Sequence, residues 1–498
     1  MSAIITEKFR QHNAEQFYES FSEASASTYY LFVGKSTAWT SGTTGGSDSS
    51  PPTPADGPSD TEYYAWDSML AAKLVSSSDI TYSIPRRNWA NGTTYDMYDD
   101  DYSSSSTATS GASNLYDSTY YFMTSDYRVY KVLDNNAGTA YSGAEPTSTS
   151  TSPFALGGYV LKYMYTITSS EAAKYMTTDF IPVSDDSTVA AAATDGKIES
   201  LKVTAGSGYT NGTYYAAVYG DGTSQGTSSG AIVRITVSGG TIQSFGLTAG
   251  SDTTIHSGGA AYTYGSVNLG SGYTFSDSGL SSASAMGGSG GAIEVVISPK
   301  NGHGKSAIAE LGGHYVMTAT TLTQAEADDV TTANDFRQVG LVVDPTNYGT
   351  STVATASTRR QTFVVKASSV SGTFEVDEKI TQATTGAVGK VVEFDSSRSL
   401  IYYQQERFGD YGTNSTTGDN TAFSGANVIT GATSSATLTP STDSETITLA
   451  NNNTITTSSG YTTPELAADS GKVIYLENRK PIQRDSDQTE DIKLIIEF

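Results

Sequence analysis

The stretch Gly230-Ala-Ile-Val-Arg-Ile-Thr-Val-Ser-Gly-Gly-Thr-Ile242 decides the fold class. Apolar and polar side chains alternate from Val233 to Val237, which is the period of a strand that buries one face. Gly239-Gly240 then supplies the positive φ angles of a tight primed turn, after which a return strand begins. The stretch therefore predicts a β-hairpin.

The composition extends this β character to the whole chain. The 498 residues include 49 Gly and 33 Tyr, and only 16% are charged. Tyr and Thr suit the pleated surface of a sheet, whereas Gly, Asn and Ser suit tight turns. We therefore expect a mainly β protein: a multi-domain, β-sandwich-like framework with a few short helices and two inserted Gly/Ser-rich β domains.

The charge balance excludes several classes of protein. The chain has 28 Lys and Arg against 52 Asp and Glu, so its formal net charge is −24. A nucleic-acid partner is not expected, because phosphate contacts need clustered Lys and Arg. The same argument excludes an anionic membrane surface, and no apolar run approaches the roughly 20 residues of a membrane span. We therefore predict neither a nucleic-acid nor a membrane partner.

The cysteine count and the N-terminus indicate where the chain folds. Without Cys, the chain has no disulfides, thiolate catalysis or Cys-type zinc sites. Met1 to Gln11 contains Glu7, Lys8 and Arg10 and no apolar stretch, so we expect no secretory signal. Both observations fit a protein that folds in a reducing cytoplasm.

Local patterns predict individual elements. A helix is expected from Thr6 to Ser22, and another from Asp67 to Val75 with Asp67 as its N-cap. The final residues alternate, which predicts a last strand with four apolar side chains on one face, paired in the main sheet beside N-terminal residues (Ile492, Leu494, Ile496 and Phe498). Further strands and one hairpin are predicted at 29–33, 120–133, 159–167 and 339–343.

Two Gly/Ser-rich stretches divide the chain. In the first, Gly206-Ser-Gly-Tyr-Thr210 recurs as Gly270-Ser-Gly-Tyr-Thr274, and Gly230 to Val237 resembles Gly291 to Ile297. Repeats predict similar units packed side by side, so we expect each stretch to be an autonomous β module. The predicted boundaries are a first insert at 196–297 and a second insert at 358–466, within a framework of 1–195, 298–357 and 467–498.

No arrangement of residues predicts catalysis. The histidines lack the paired spacing of a zinc site (His12, His256, His303 and His314), and a structural role is favoured for His303 and His314. The acidic groups lack EF-hand spacing, so solvated turns are favoured over cation sites (Asp99 to Asp101, and Asp485, Asp487, Glu490 and Asp491). We therefore predict no enzymatic activity, no cofactor and no metal site.

The tyrosines and a few cations are the candidates for interfaces. Tyr suits both protein interfaces and sugar-binding surfaces, and the absence of a distinct carboxylate pair favours the interface or the core. Arg86 and Arg87 lie beside Trp89 and could clamp carboxylates of a neighbouring chain. The alternative is an internal pair with Asp96 or Asp99. Candidate interface residues are thus Arg86, Arg87 and Trp89, with Arg479 as a fourth.

Several motifs occur in the order found in one phage family. They are Glu7-Lys-Phe-Arg10, Phe32 to Trp39, Ile84 to Trp89, Val129 to Val132, Gly158 to Tyr163, Asn334 to Gly340 with Asp344-Pro345, and Val473 to Phe498. In these residues the chain resembles the baseplate wedge subunit of T-even-like contractile-tailed phages, the gene product eight family. The resemblance covers roughly 4–184, 296–346 and 470–498. The two inserts are departures from it, similar to the enlarged versions carried by phages of marine cyanobacteria.

The resemblance implies a structural role. It implies a homodimer that joins other baseplate wedge proteins, located in the tail baseplate of the virion and assembled in the host cytoplasm. An alternative is a glycan-binding or glycan-degrading tail fibre protein. Tail fibre proteins are commonly trimeric and elongated, so the oligomeric state distinguishes the two hypotheses.

Overall fold

The computed structural model describes residues 5–40, 45–54, 62–223, 230–270, 279–407 and 419–498. The chain forms two compact units. The first comprises Met1–Gln16, Thr81–Met317 and Ile495–Phe498, and the second comprises Phe17–Ile80 and Thr318–Leu494.

Strands dominate both units, which confirms the predicted mainly β fold with a few short helices. Within the described ranges, the α-helices are α1 (Glu7–Glu19), α2 (Glu62–Ser68), α3 (Ser169–Tyr175), α4 (Ser187–Ala192) and α5 (Ala307–Glu310). The strands of the first half are β1 (Tyr29–Gly34), β2 (Met69–Val75), β3 (Ile80–Pro85), β4 (Tyr121–Met123), β5 (Arg128–Asp134), β6 (Phe154–Leu156), β7 (Tyr159–Thr166), β8 (Phe180–Val183), β9 (Ser200–Tyr209), β10 (Gly212–Gly220), β11 (Ala231–Ser238) and β12 (Thr241–Ile242). The remaining strands are β13 (Thr254–Gly258), β14 (Gly265–Val267), β15 (Gly287–Val296), β16 (Tyr315–Thr323), β17 (Phe336–Val343), β18 (Thr358–Arg360), β19 (Phe363–Ser371), β20 (Lys379–Gln382), β21 (Ala387–Asp395), β22 (Leu400–Gln404), β23 (Ile429–Gly431), β24 (Thr437–Pro440), β25 (Thr446–Thr448), β26 (Thr454–Thr456), β27 (Tyr461–Thr462), β28 (Lys472–Ile482) and β29 (Thr489–Glu497).

The second unit contains a five-stranded sheet in the order β18-β2-β1-β17-β28. β1 is buried along its whole length, and it pairs antiparallel with β2 on one side and β17 on the other. β28 pairs with the other edge of β17. The strands predicted at 29–33 and 339–343 are thus confirmed as the centre of a sheet that joins distant parts of the sequence.

The helix predicted from Asp67 to Val75 is wrong. α2 ends at Ser68, and Met69–Val75 forms β2, which pairs with β1 and β18 on its two sides. A short apolar run such as Met69-Leu-Ala-Ala-Lys-Leu-Val gives no periodicity that separates a buried strand from a buried helix. Pairing on both edges therefore decides the conformation, a tertiary effect that the local pattern does not contain.

The first unit holds a four-stranded sheet in the order β4-β5-β7-β6 with a core rich in tyrosine. β4 and β5 form the predicted hairpin, which is confirmed, and β7 is the strand predicted at 159–167. Tyr120 and Tyr165 are fully buried, and their hydroxyls donate to the carbonyls of Glu310 and Pro182 at 2.7 and 2.9 Å. Each ring thus fills the core while its hydroxyl bonds to the backbone of another element, α5 for Tyr120 and β8 for Tyr165.

The segment that decided the fold class forms the predicted hairpin. Val237 pairs with Ile242, Ser238 pairs with Thr241, and Gly239 and Gly240 have φ angles of 62° and 77°. β11 continues into a five-stranded sheet with the order β12-β11-β10-β14, in which β13 also pairs with β11. The hairpin prediction is therefore confirmed.

The alternating strands of the two repeat copies, β11 and β15, pair with different neighbours. The first copy of the Gly-Ser-Gly-Tyr motif lies in β9, which pairs with β15, whereas β11 pairs with β10. A Cβ on Gly206 would lie 2.3 Å from the backbone nitrogen of Gly291, so glycine is required where these strands approach. Residues 271–274 of the second copy lie outside the described residues.

The second unit also contains a seven-stranded sheet in the order β22-β21-β20-β23-β24-β19-β27. β22 pairs additionally with β19, so six of these strands form a closed ring. The ring encloses its own apolar cluster, which includes Val365, Phe374 and Ile401. Closure of this kind removes free strand edges.

The C-terminal strand is present, but its predicted burial is wrong. β29 lies beside β16 in the sheet order β29-β16-β3-β8, so its direct neighbour is not an N-terminal strand. Leu494 is buried at 2% exposure, whereas Ile492, Ile496 and Phe498 are only half-buried. The alternation of apolar residues predicts a shared face correctly, but the packing against that face depends on neighbours that the pattern does not reveal.

Candidate functional site

The predicted interface segment Arg86 to Trp89 follows β3 and is held against β4. The amide of Met123 donates to the carbonyl of Arg87 at 2.7 Å, and the amide of Trp89 donates to the carbonyl of Met123 at 2.8 Å. The segment is therefore fixed by backbone pairing to a buried strand.

Both arginines of this segment bind backbone carbonyls. Arg86 Nη1 donates to Thr177 O at 2.8 Å, and Arg87 Nη2 donates to Tyr116 O at 2.9 Å. The guanidinium of Arg87 also lies 4.4 Å from the ring centroid of Tyr121, a cation–π contact. Both side chains are half-buried. Through these hydrogen bonds, each arginine holds a loop of its own chain, at Thr177 and at Tyr116.

The alternative partners Asp96 and Asp99 are engaged elsewhere. Asp96 accepts hydrogen bonds from Ser110 and Thr119, and these bonds lower the pKa of its carboxyl although burial opposes them. Asp99 pairs with Lys202. The internal ion pair considered for the two arginines is thus replaced by hydrogen bonds to carbonyls.

Trp89 and Arg479 differ in exposure. Trp89 is half-buried and meets Tyr141 edge to face at 5.9 Å, and its indole Nε1 has no hydrogen-bond partner within the described part of the chain. The side chain of Arg479 on β28 is 48% exposed and pairs with Glu477 at 2.9 Å. Arg86, Arg87 and Trp89 belong to the first unit and Arg479 to the second. Their role in an interface stays a prediction.

The histidines lie in distinct environments. His303 is buried edge to face against Tyr98 at 4.9 Å, and burial holds the pKa of its imidazole well below the usual range. His314 Nδ1 lies 3.2 Å from Glu7 Oε2, yet burial still lowers its pKa. Across the described ranges, no three His, Asp or Glu side chains are grouped to hold a metal ion.

A buried ion pair beside His303 was not predicted from the sequence. Lys131 on β5 contacts Glu310 Oε2, and both side chains are excluded from solvent. The other carboxylate oxygen of Glu310 accepts from the amide of Gly304 at 2.7 Å. Because the pair is separated by 179 residues, no local motif reveals it. A buried pair with these extra hydrogen bonds fixes the geometry of β5 against α5.

A cleft of about 430 Å³ lies within the first unit. One wall comes from residues 97–109 and 134–138, and the other includes Lys202 and Val203 of β9, Glu294 of β15, and Ser244 with Phe245. Its charged side chains come from parts of the sequence up to about 195 residues apart, so only the folded chain reveals the cleft.

Three carboxyl groups and one ammonium group determine the electrostatics of the cleft. Lys202 Nζ lies 2.5 Å from Asp99 Oδ2 and 2.8 Å from Glu294 Oε1, so the cation of the cleft is already paired twice. Asp134 is 9% exposed, and burial raises the pKa of its carboxyl to about 6. A perturbed carboxyl in a cleft is a candidate for ligand binding.

These observations define a class of protein: a β-rich chain of several sheets, in which arginine and tyrosine side chains bind backbone carbonyls of other elements. A family model described as Bacteriophage T4, Gp8 matches residues 3–151 and 441–498. The match lies in the N-terminal and C-terminal parts of the chain, and it supports the resemblance to the gene product eight family of baseplate wedge subunits. A search of curated proteins finds no match.

The residues matched by the family model differ from those in which the sequence resemblance was found. It includes the motifs up to Val132 and the C-terminal block, but residues 152–440 lie outside it. The match also extends to 441, inside the predicted second insert. Asn334 to Gly340 is unmatched, yet β17 in this region pairs with β1 and β28, which are both matched strands.

Proposed function

We propose that this chain is a homodimeric adaptor of the phage baseplate wedge, which joins neighbouring wedge proteins during assembly and host attachment. The family match at both ends of the chain carries this proposal, because the family is a structural baseplate family. The same match favours the wedge subunit over the alternative of a glycan-binding or glycan-degrading tail fibre. Assembly in the host cytoplasm and a cyanobacterial host belong to the same proposal.

The structure supports a framework built from the two matched parts. β1 and β2 come from the N-terminal part and β28 from the C-terminal part, and all three lie in one sheet with β17. In the first unit, Arg10 Nη1 binds Glu497 Oε1 at 2.8 Å, so residues near the two ends also meet there. A framework of this kind provides fixed surfaces for neighbouring proteins.

No helix in the described ranges combines the length and the apolar character needed to cross a bilayer.

The location of the chain in the virion tests the main proposal. In a cryo-electron microscopy reconstruction of the phage tail, we expect density for this chain in the baseplate wedge, with copies related as dimers. Density in a fibre, or a chain that is absent from the purified tail, would contradict the proposal.

The dimer is tested with the purified chain by light scattering after size exclusion, over a range of concentrations. We expect a dimer, whereas a stable trimer would favour the tail fibre. Arg479→Glu is the informative interface variant because its side chain is exposed, whereas changes at Arg86 or Arg87 remove internal hydrogen bonds. The matched control is Lys300→Glu, an equal charge change at an exposed turn. Weaker association only in Arg479→Glu supports an interface at Arg479, and equal association in both variants excludes it.

A further inference from the structure

The cleft between residues 97–138 and the strands β9 and β15 has features that the wedge role does not require. Its volume of about 430 Å³ falls within the roughly 300–1,000 Å³ typical of small-molecule sites. One wall belongs to the matched N-terminal part, whereas Lys202, Phe245 and Glu294 belong to residues outside the match. The cleft therefore exists only because the first insert packs on the framework.

The charges of the cleft exclude an anionic ligand. Among the described residues that line the cleft, Lys202 is the only cation, and both Asp99 and Glu294 already bind its ammonium group. A phosphate or carboxylate would have to displace these partners while Asp134 repels it. The lining charges therefore sum to a negative value.

The carboxyl groups of the cleft are not free for an organic cation. Asp99 and Glu294 share the ammonium group of Lys202, which occupies the position that a ligand cation would take. Burial raises the pKa of the Asp134 carboxyl to about 6, because a low-dielectric surrounding disfavours its ionised form. A ligand that presents neutral hydroxyls can bond to these groups without displacing Lys202.

The hydrogen-bonding capacity of Asp134 is only partly used. Its Oδ1 accepts from the amide of Asn136 at 2.9 Å, and no donor in the described part of the chain reaches Oδ2. Short hydroxyl side chains line the same cleft (Ser106, Thr107, Thr109 and Ser244). Such groups donate and accept at once, which suits a ligand that presents several hydroxyls.

Aromatic and apolar side chains complete the lining. Phe245 and Tyr102 border the cleft together with Met97 and Val203. A sugar ring combines an apolar C–H face with a rim of hydroxyls, which matches aromatic surface beside polar groups. We propose that this cleft binds a neutral saccharide, with Asp134 Oδ2 bonded to a sugar hydroxyl and Phe245 and Tyr102 against the apolar face of the ring.

Ligand-detected NMR with the full-length protein tests the proposal. The probes are glucose, galactose, mannose, N-acetylglucosamine, maltose and cellobiose, with spermidine and inorganic phosphate as charged comparisons. We expect at least one neutral saccharide to bind and neither charged probe to compete with it. Binding of spermidine or phosphate without any saccharide, or no binding by any probe, would overturn the proposal.

Two variants locate the site. Asp134→Ala should weaken saccharide binding at least tenfold, whereas Asp101→Ala, at an exposed carboxylate outside the lining, should leave it unchanged. Ser244→Trp fills the cleft from an exposed position, so it should abolish binding even where Asp134→Ala does not fold. Circular dichroism confirms that each variant is folded. Undiminished binding in folded Ser244→Trp places the saccharide elsewhere and refutes the site.

Discussion

The two Gly/Ser-rich stretches that were predicted to be inserts have similar compositions but build their hydrophobic cores differently. In the first insert, Leu201 and Ile235 belong to one continuous apolar cluster with framework residues such as Tyr130 and Val132. In the second insert, every buried member of the cluster lies between Val365 and Leu438. One insert therefore shares its core with the framework, whereas the other encloses its own.

The strand pairing explains this difference. β9 and β15 bring the ends of the first insert together, and Ser200 Oγ donates to the carbonyl of Leu133 at 2.6 Å, which ties the insert to β5. The second insert closes β19 onto β22, and Gln404 Nε2 of β22 donates to Met69 O at 2.7 Å. Composition predicts strands in both inserts, but closure of the sheet decides which one can fold independently.

The largest expected effect comes from deleting the first insert. We predicted from the sequence that each insert folds by itself. For residues 196–297, the core shared with the framework leads us to expect the opposite. Replacing 198–296 with a short Gly/Ser linker removes Leu201, Ile235 and Val296 from the cluster, and each such side chain contributes about 1.5–3 kcal/mol. The deletion exposes the framework side of the shared cluster, so we expect cooperative unfolding of the first unit to be lost. The linker itself costs little free energy, so it does not account for this loss. Calorimetry of the deletion variant measures this loss.

Deletion of the closed ring is the matched control. Arg360 Nη2 donates to Thr463 O at 3.1 Å, and Arg360 Nη1 contacts Thr362 O, so the two ends of 363–462 lie close together. A short linker can therefore replace this segment, and the remaining chain should keep a cooperative transition. If both deletions melt cooperatively, or neither does, the contrast between the two cores is incorrect.

The second expected effect concerns the second insert by itself. Expressed alone, residues 358–466 should fold, because their apolar cluster and ring of strands need no residue from outside. We expect dispersed amide signals in an NMR spectrum and a single thermal transition. The first insert, expressed as 196–297, should show neither, because part of its core lies in the framework. A folded 196–297 fragment would show that the shared cluster is not needed.

The sequence reveals the local elements of this fold but not their long-range pairing. The hairpin at Gly239-Gly240 was predictable because its turn chemistry lies within four residues. The strand Met69–Val75 was not, because its conformation depends on β18, which begins almost 290 residues later. The charged residues of the cleft are likewise distant in sequence, and none carries a recognisable motif. The scarcity of cations in the sequence identifies Arg86 as an interface candidate. Its hydrogen bond to the carbonyl of Thr177 could not be predicted from the sequence.

A matched pair of core substitutions gives a smaller effect. Ile235 in β11 and Ile401 in β22 are both fully buried, so replacing either with Ala should cost about 2–5 kcal/mol. Ile235→Ala should lower the melting temperature of the transition that includes the framework of the first unit. Ile401→Ala should lower only a transition assigned to the second insert. Hydrogen exchange measured by mass spectrometry assigns each change to its peptides, and protection lost in β5 after Ile401→Ala would break the comparison.

The smallest expected effect is a pH dependence at the border between the first insert and the framework. Asp134 ends β5 in the cleft, where the charged lining groups are Asp99, Lys202 and Glu294. Because burial raises the pKa of its carboxyl to about 6 from the ordinary value of 3.8, the native state binds a proton more tightly than the unfolded state. Its contribution to the free energy of unfolding should therefore rise as the pH falls from about 6 to about 4, by roughly 2 kcal/mol. Asp134→Asn removes this contribution, so the difference between wild type and variant in urea unfolding should change across that pH window and stay constant above it. A difference that is flat from pH 4 to pH 8 would show that Asp134 is solvated, and that the first insert does not close over the framework at this point.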